Sequence, residues 1–452
     1  MEVIIIGAGT YGCYLANILS KKYNKIKIYL IEVGNSETKT EAEIGYKSLL
    51  KKDIYNGASK GRYFGLGGTS EKWGGQLLFF STNDCINDPE MEEIKNINVK
   101  YKNSVLKRFF SNVPDIKEKK IQNDLYVKSG IWLKYNKRNL YKLFNIEKNQ
   151  CVTLISNSRV ISINNNGEKV ESITILQNNI KKNLSSDIYF ITAGAFETMR
   201  LLNVSGMINT KETSLGFSDH ISKKCFKILS NKALIENHDF SYNLIEKSLI
   251  TSRIIGEING SSFFLHPVFN ERFALFQIIK DFLFKGKVNF RFQILPQIFH
   301  LIPFVLSYYF KNKIYIYKDW DLYIDIEIDT GDNQIELGTS LDKFGEKIIE
   351  ISYKIPETTI EKIELANNRV RGLLKKNHIN FIDLYNDPTC NKLEDAYHPF
   401  KLYDKGTPWK KRVNPLSNLY SIHTGILPRA GGINPTASLF CLLEEIVDNK
   451  IV

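Results

Sequence analysis

The spacing of three glycines near the N-terminus, Gly7, Gly9 and Gly12, constrains the fold most. The run before them, residues 2–6, is apolar and rich in β-branched residues, as in a strand buried on both faces. The residues after them have helical periodicity. In such a unit the first glycine permits a tight turn, the second lets backbone approach a pyrophosphate, and the third packs the helix on the strand. The spacing therefore predicts a dinucleotide-binding unit.

An acidic residue completes this unit. A second apolar run, residues 25–31, leads to Glu32, which lies about 20 residues beyond Gly12, as the dinucleotide fingerprint requires. A carboxylate there can accept hydrogen bonds from ribose hydroxyls and would repel a 2′-phosphate. The helix N-terminus supplies N–H donors for phosphates. These residues leave open which dinucleotide is bound.

A second glycine-rich stretch covers residues 61–76. Closely spaced glycines suit backbone pressed against a flat ligand, and hydroxyls can bond its phosphates or ring edges. We interpret the stretch as a cofactor-contacting loop rather than a surface loop. Its candidate binding residues are Gly68, Thr69, Ser70, Trp73 and Gly75.

Further along, residues 152–176 alternate like strands of a meander with an Asn-Gly turn. The segment 187–203 then reads as a buried strand, a turn at Ala193 and Gly194, and a helix start. This second strand–glycine–helix unit predicts that a two-part cofactor is held from both ends.

Composition excludes several classes of protein. The chain has 452 residues, enough for two or three domains. Its net charge of +12 has no localised basic stripe, so no nucleic-acid partner is predicted. The six cysteines are scattered and the histidines lack metal-ligand spacing, so we expect a reduced compartment and no metal site. An apolar strand beginning at residue 3 leaves no room for a signal peptide, and a cytoplasmic location is expected.

Several segments together resemble the glucose–methanol–choline (GMC) family of FAD-dependent oxidoreductases, and they occur in family order. They are VIIIGAGTYG, LGGTSEKWGG, NSRVISI, ITAGAFETMRLL, LGFSDHIS, AYHPF and NLYSIHTGILPRAGGINPT.

The resemblance implies the chemistry and the cofactor. It implies FAD rather than NAD, with Val160 against the adenine and with His423 and Thr424 beside the cofactor. It also implies oxidation of a CH–OH group by hydride transfer to flavin N5, with His398 as the base and Asn434 bonding the substrate oxygen. The cofactor is expected to be non-covalent, because no histidine lies within GGTSEKWGG. The substrate is then a small alcohol or sugar, and the electron acceptor is left unspecified.

The resemblance and the strand patterns together predict an α/β fold of two parts. A Rossmann-like FAD-binding domain is discontinuous in sequence, and a substrate domain is built on an antiparallel sheet backed by helices. The predicted boundaries are 1–90, 151–225 and 396–452 for the FAD-binding domain, 226–395 for the substrate domain, and 91–150 for a helical connection of uncertain assignment.

Two departures from the family keep alternatives open. Phe400, Lys401 and Leu402 stand where relatives carry a Gly-Thr pair after the histidine. The alternatives are a flavoenzyme of this fold with another redox or isomerisation reaction, and a non-catalytic flavin-binding protein. Arg429 stands where relatives carry a small residue. It is either a contact for an anionic substrate or one half of a structural ion pair.

The block 273–317 is dense in aromatic residues but too interrupted to span a membrane. One interpretation is a lid with an apolar inner face. The other is a peripheral patch that touches a membrane or a lipid-linked substrate, with Phe304 and Tyr308 on its contacting face.

Overall fold

A five-stranded parallel sheet forms the first half of the fold. Its central strand, Glu2–Ile6, buries alternate residues in two different cores: Val3 and Ile5 in one, and Ile4 and Ile6 in the other. This two-sided burial is why the strand is a continuous apolar run. In order, the strands are Leu419–Ser421, Ile188–Ile191, Glu2–Ile6, Lys27–Ile31 and Val152–Ile155.

The last helix, Thr436–Asn449, closes one face of this sheet against the first helix, Thr10–Lys22. Tyr14 stacks on Phe440 with ring centroids 4.2 Å apart, and its hydroxyl donates to Glu444 over 2.7 Å. The two ends of the chain therefore share one core.

An eleven-stranded, mainly antiparallel sheet forms the second half. One of its faces packs on the 20-residue helix Glu357–Lys376, and these apolar side chains belong to a single core. Within it, strands Ser248–Ile258 and Ser261–Phe269 form a hairpin around Asn259 and Gly260, both with positive φ. This is the conformation that an Asn-Gly turn favours.

The segment 91–150 holds more than a helical connection. The helix Pro89–Lys107 fills its first part, but Leu125–Trp132 pairs with Ser248–Ile258 in the large sheet. Likewise, Ser48–Lys52 pairs with Lys347–Tyr353, over 290 residues away. Local patterns missed these strands because their partners are remote in sequence.

This is a computed structural model, and it describes residues 1–116, 118–122, 124–208, 214–229, 234–235, 238–239, 242–269, 278, 281, 301–314 and 320–449. Within them, the α-helices are Thr10–Lys22, Glu41–Ile44, Asn56–Ser59, Thr82–Cys85, Pro89–Lys107, Leu140–Leu143, Ala195–Val204, Leu301–Phe310, Glu357–Lys376, Trp409–Val413 and Thr436–Asn449. Searched over the same residues, no helix has the length and apolar character needed to cross a membrane.

The remaining strands belong to four sheets. The large sheet contains Gln76–Leu77, Glu118–Gln122, Leu125–Trp132, His220–Ile228, Tyr242–Ile245, Ser248–Ile258, Ser261–Phe269, Lys313–Ile314, Trp320–Glu327, Phe381–Asp383 and Leu393–Asp395. The smaller sheets contain Ser158–Asn165, Val170–Gln177 and Ile180–Leu184; Ser214–Gly216, Gln334–Leu341, Lys347–Tyr353 and Ser48–Lys52; and Leu234–Ile235 with His238–Asp239.

Gly12 allows a test of helix–strand packing in the unit formed by residues 2–32. A Cβ at this position would lie 1.9 Å from the carbonyl oxygen of Gly7, so Gly12→Ala should destabilise the protein by about 1–3 kcal/mol or more. Gly372→Ala is the matched control, because Gly372 is exposed in a helix and has open space around it. That change should be neutral or stabilise by about 0.5–1 kcal/mol. Thermal unfolding midpoints measure both, and equal midpoints would contradict the packing role of Gly12.

Candidate active site

One cavity of about 610 Å³ lies where the strands of the parallel sheet end, and residues of both halves line it. In open α/β sheets ligands bind in this position. The cavity collects fourteen of the sixteen residues predicted from sequence: Gly7, Gly9, Glu32, Gly68, Thr69, Trp73, Gly75, Val160, Ala193, Gly194, His398, His423, Thr424 and Asn434.

The glycines of the first unit differ in what surrounds them. A Cβ on Gly9 would meet nothing within 4 Å, so its backbone faces open space in the cavity. A Cβ on Gly68 would lie 2.9 Å from the Cα of Gly9, which shows how closely the two glycine-rich loops approach each other. Gly12 lies behind the wall, in the helix–strand contact.

Ser70 is not brought to the cavity wall. Its hydroxyl is buried, donates to the carbonyl of Gly67 over 2.6 Å and accepts from the Leu140 N–H over 3.1 Å. The serine therefore braces the loop from inside, and sequence spacing did not reveal which hydroxyl of the loop faces outward.

Glu32 lines the cavity and also holds its wall together. Its carboxylate accepts from the backbone N–H groups of Ala8, Gly34 and Gly65 over 2.9–3.0 Å. Burial raises the pKa of Glu32, and these backbone donors oppose that rise. The Val33 N–H also acts on this carboxylate and opposes the rise, so four backbone groups hold a side chain that lines the cavity.

A cationic group that sequence reasoning missed lines the cavity next to Val160. Arg62, Arg159 and Arg200 surround Glu197 at 3.8, 3.7 and 2.9 Å, and these arginines, Arg200 foremost, outweigh burial and lower its pKa. The Glu197–Arg200 pair has helical i,i+3 spacing and was visible in the sequence; Arg62 and Arg159 carried no local signal.

His398 and Asn434 meet at the opposite end. The Asn434 side-chain carbonyl accepts from the Thr436 N–H over 3.0 Å, which turns its amide nitrogen toward His398 Nε2 at 3.3 Å. Because that nitrogen can only donate, Nε2 is the acceptor and the ring proton lies on Nδ1. Nδ1 is buried without a hydrogen-bond partner in the described structure. Burial, with a smaller effect of His220, lowers the pKa of His398 to about 3.

Asp219 fixes the backbone of this histidine. It is fully buried, and its carboxyl oxygens lie 3.0 and 3.2 Å from the His398 N–H, 2.7 Å from the His220 N–H and 2.6 Å from the Tyr55 hydroxyl. The residue before the histidine, Tyr397, has φ +66°, a left-handed conformation that costs a non-glycine residue about 1–3 kcal/mol. The Asp219 hydrogen bonds help to hold that turn. The sequence drew attention to His220 and missed its neighbour.

His423 is buried at the wall beside Thr424. Its Nδ1 has no hydrogen-bond partner in the described part of the chain, and burial lowers the pKa of the ring to about 3. A neutral imidazole there can donate or accept a hydrogen bond across the cavity.

The two segments that differ from the motifs of the resembled family have structural roles. Arg429 forms an ion pair with Glu327, which also accepts from the Gly431 N–H over 2.6 Å. The structural-pair interpretation of Arg429 is therefore confirmed. In the other segment, the Phe400 and Lys401 N–H groups are bonded to backbone carbonyls over 2.8 and 3.0 Å.

Within the described residues, one group has the proximity that metal ligation needs: Asp219, His220 and His398, with ligand atoms within 4.8 Å of one another. Hydrogen bonds already engage them. His220 Nε2 lies 2.6 Å from the Gly431 carbonyl, and the Asp219 oxygens contact the donors described above. The close approach of these three residues is therefore explained by hydrogen bonds that support His398.

The architecture is a mixed α/β fold in two parts, with a parallel sheet and a large antiparallel sheet on either side of one cavity. The crystal structure of pyridoxine 4-oxidase from Mesorbium loti is similar: the TM-score is 0.58 at 12% sequence identity, over 99% of this chain and 98% of that chain. No protein-family model matches the sequence, and no curated protein does either. At this identity the likeness shows the fold.

The folding stability of the protein should depend on pH through Asp219. Burial raises its pKa to about 8 in the folded chain, against about 3.9 in an unfolded one. Folding is therefore weakened as pH rises between those values, by up to about 1.4 kcal/mol per pH unit. Asp219→Asn removes this titration, so its stability relative to wild type should rise from about pH 4 to about pH 8.

Thermal unfolding of both proteins across that range measures the difference, and exposed Asp332→Asn is the control. A difference that does not change with pH would show that Asp219 is not the titrating group.

Proposed function

We propose that this protein is an FAD-dependent oxidoreductase of the GMC family that oxidises a CH–OH group, with His398 as the general base. One observation carries the proposal: the His398–Asn434 pair lies in the same cavity as the open backbone at Gly9. A nucleotide-binding loop and an acid–base pair in one space fit a redox cofactor and its substrate.

The residues present fit FAD. Gly9 leaves room for backbone to approach a pyrophosphate, and the Glu32 carboxylate lines the cavity, where it can face a ribose hydroxyl. Near Val160 the arginines around Glu197 provide donors for the adenosine portion. His423 also lines the cavity, and its buried Nδ1 has no partner in the described structure. A buried polar atom of this kind calls for a partner, and a bound cofactor is one group that can supply it.

His398 is positioned to receive the hydroxyl proton, because its Nε2 faces the cavity beside the Asn434 amide. Its low pKa keeps the ring neutral at neutral pH, so Nε2 carries a lone pair. A substrate hydroxyl entering between the two side chains can donate its proton to Nε2 and accept a hydrogen bond from the Asn434 amide. Bound FAD supplies the acceptor for the hydride that leaves the substrate carbon.

Asp219 supports this step from behind. Its backbone contacts set the position of His398, and its carboxyl group lies within 4.8 Å of a ring nitrogen of that histidine. We therefore assign Asp219 as a positioning residue. The substrate class is a small alcohol or sugar, and the electron acceptor is a separate molecule.

The purified protein should be yellow, and acid precipitation should release FAD, because the proposed contacts are non-covalent. Chromatography of the supernatant identifies the released flavin. A colourless protein that FAD cannot reconstitute would contradict the proposal.

Glu32→Ala tests the nucleotide end. The change removes an acceptor from three loop N–H groups and from the ribose, so FAD affinity should fall about tenfold or more, equivalent to about 1.5–3 kcal/mol. Flavin retained after extended dialysis measures this loss. Glu37→Ala, at an exposed side chain outside the cavity, is the control and should retain FAD. Equal retention by both variants would argue against a binding role.

His398→Ala and Asn434→Ala should fail differently. Loss of the base should slow anaerobic flavin reduction by about 10²–10⁴-fold. Asn434→Ala keeps the base and loses one donor to the substrate oxygen, so its defect should be smaller and partly overcome by more substrate. The oxidised flavin absorbance follows both reactions across a panel of alcohols and sugars.

Both variants should remain yellow. His378→Asn is the control, since His378 lies outside the cavity and asparagine tolerates its φ of +53°. If His398→Ala reduces its flavin at the wild-type rate, the base lies elsewhere, and His423 is the next candidate. If no alcohol reduces the wild-type flavin, a different reaction at this site is favoured.

A further inference from the structure

The helix Leu301–Phe310 carries a stripe of exposed apolar side chains. Of the block 273–317, the structure describes residues 278, 281 and 301–314. The stripe consists of Ile302, Val305, Leu306, Tyr309 and Phe310, each between 44% and 80% exposed. Their spacing of three and four residues puts them on one side of the helix. Single exposed apolar residues are ordinary, but a contiguous group of five marks an interaction surface.

The opposite side of the helix is anchored to the protein. Tyr308 is buried in a cluster with Tyr242, Leu244, Leu249 and Ile314. Because Tyr308 is held in this cluster, the stripe on the other side of the helix faces outward. The expectation that Tyr308 lies on a contacting face is therefore wrong. The side chain of Phe304 lies outside what the structure describes.

Lysines flank the stripe at the C-terminal end of the helix. Lys311 and Lys313 are exposed, and residues 301–314 include no acidic residue. Lys247 reaches the same end from a neighbouring hairpin, with its ammonium group 4.3 Å from the Tyr308 ring centre and 5.2 Å from that of Tyr309. Apolar side chains bordered by lysines are complementary to a lipid surface that carries negative headgroups.

We propose that the stripe docks this protein on the surface of an anionic lipid bilayer. The helix has 10 residues and is about 15 Å long, so it lies in the interface rather than crossing it. The five apolar side chains enter the acyl boundary while Lys311 and Lys313 contact headgroups. A second copy of the chain is a poorer occupant, because residues 301–314 of the facing stripe would offer these lysines no acidic partner.

The surface lies close to the catalytic cavity. Trp132 packs against the Tyr308 cluster, and the same tryptophan lines the cavity that holds His398. The cluster that anchors the docking helix therefore shares a neighbour with the cavity wall. Docking itself requires neither bound flavin nor activity, so it can be tested whatever reaction the cavity catalyses.

The test is co-sedimentation of the full-length protein with vesicles of equal parts phosphatidylglycerol and phosphatidylcholine. We expect binding at low ionic strength, weak binding to phosphatidylcholine alone, and loss of binding in roughly 1 M NaCl, where the Debye length is about 3 Å. Flavin content and thermal midpoint of each sample report whether the protein is intact.

Two double variants separate the apolar and the charged contributions. Ile302→Ser with Phe310→Ser should lower the partition coefficient by roughly tenfold or more, because the exposed side chains would otherwise leave water. Lys311→Gln with Lys313→Gln should lower it by roughly 25-fold at low salt, from about fivefold for each lysine.

Matched controls use equally exposed residues elsewhere. Val99 and Ile180 are 77% and 59% exposed, and changing both to serine should leave binding unaltered. Lys181→Gln with Lys405→Gln controls for net charge, since both lysines are exposed and lie outside the stripe.

Four outcomes would overturn the proposal. They are no sedimentation of wild type with anionic vesicles, binding that neither salt nor the lysine variant reduces, an equal loss in the control variants, and sedimentation without vesicles that the stripe variant abolishes. The last outcome would identify the stripe as a contact between copies of this chain.

Discussion

Buried carboxylates that accept hydrogen bonds from backbone N–H groups hold the cavity together. Glu32 joins the first loop to the second glycine-rich loop, and Asp219 holds the backbone of His398. Glu327 and Asp84 hold the C-terminal turn through the N–H groups of adjacent glycines, over 2.6 and 3.0 Å. Loops packed inside a protein cannot leave such groups unpaired, and a carboxylate can serve several donors at once. Each of these acids therefore fixes one edge of the cavity.

Loops from distant parts of the chain meet in the cavity. The loop around Gly9 comes from the first strand, whereas Asn434 precedes the final helix. Tyr14 and Phe440 stack between the two helices that follow these loops, so the apolar core sets the distance between the Gly9 loop and the His398–Asn434 pair. Packing far from the chemistry thus sets the geometry that the proposed reaction requires.

Sequence reasoning was strongest where a local rule applies. The glycines at 7 and 12 have the steric roles expected of them, and local turn and propensity rules also account for the Asn259–Gly260 turn and the helix Glu357–Lys376. The reasoning failed where a role depends on remote partners. Trp132 lies in a strand whose pairing is set by residues more than 100 positions away, and Ser70 faces inward because of Leu140. No periodicity encodes such contacts.

The strand order has a consequence for synthesis. The edge strand Leu419–Ser421 pairs with Ile188–Ile191, and the helix Thr436–Asn449 packs on the helix Thr10–Lys22. As the chain leaves the ribosome, strands separated by only tens of residues can associate early, but the half with the parallel sheet remains open until residues 419–449 emerge. Until then its apolar face is exposed to solvent. Such a nascent chain has a prolonged requirement for chaperones, and the cavity can form only after the helix Thr436–Asn449 has been made.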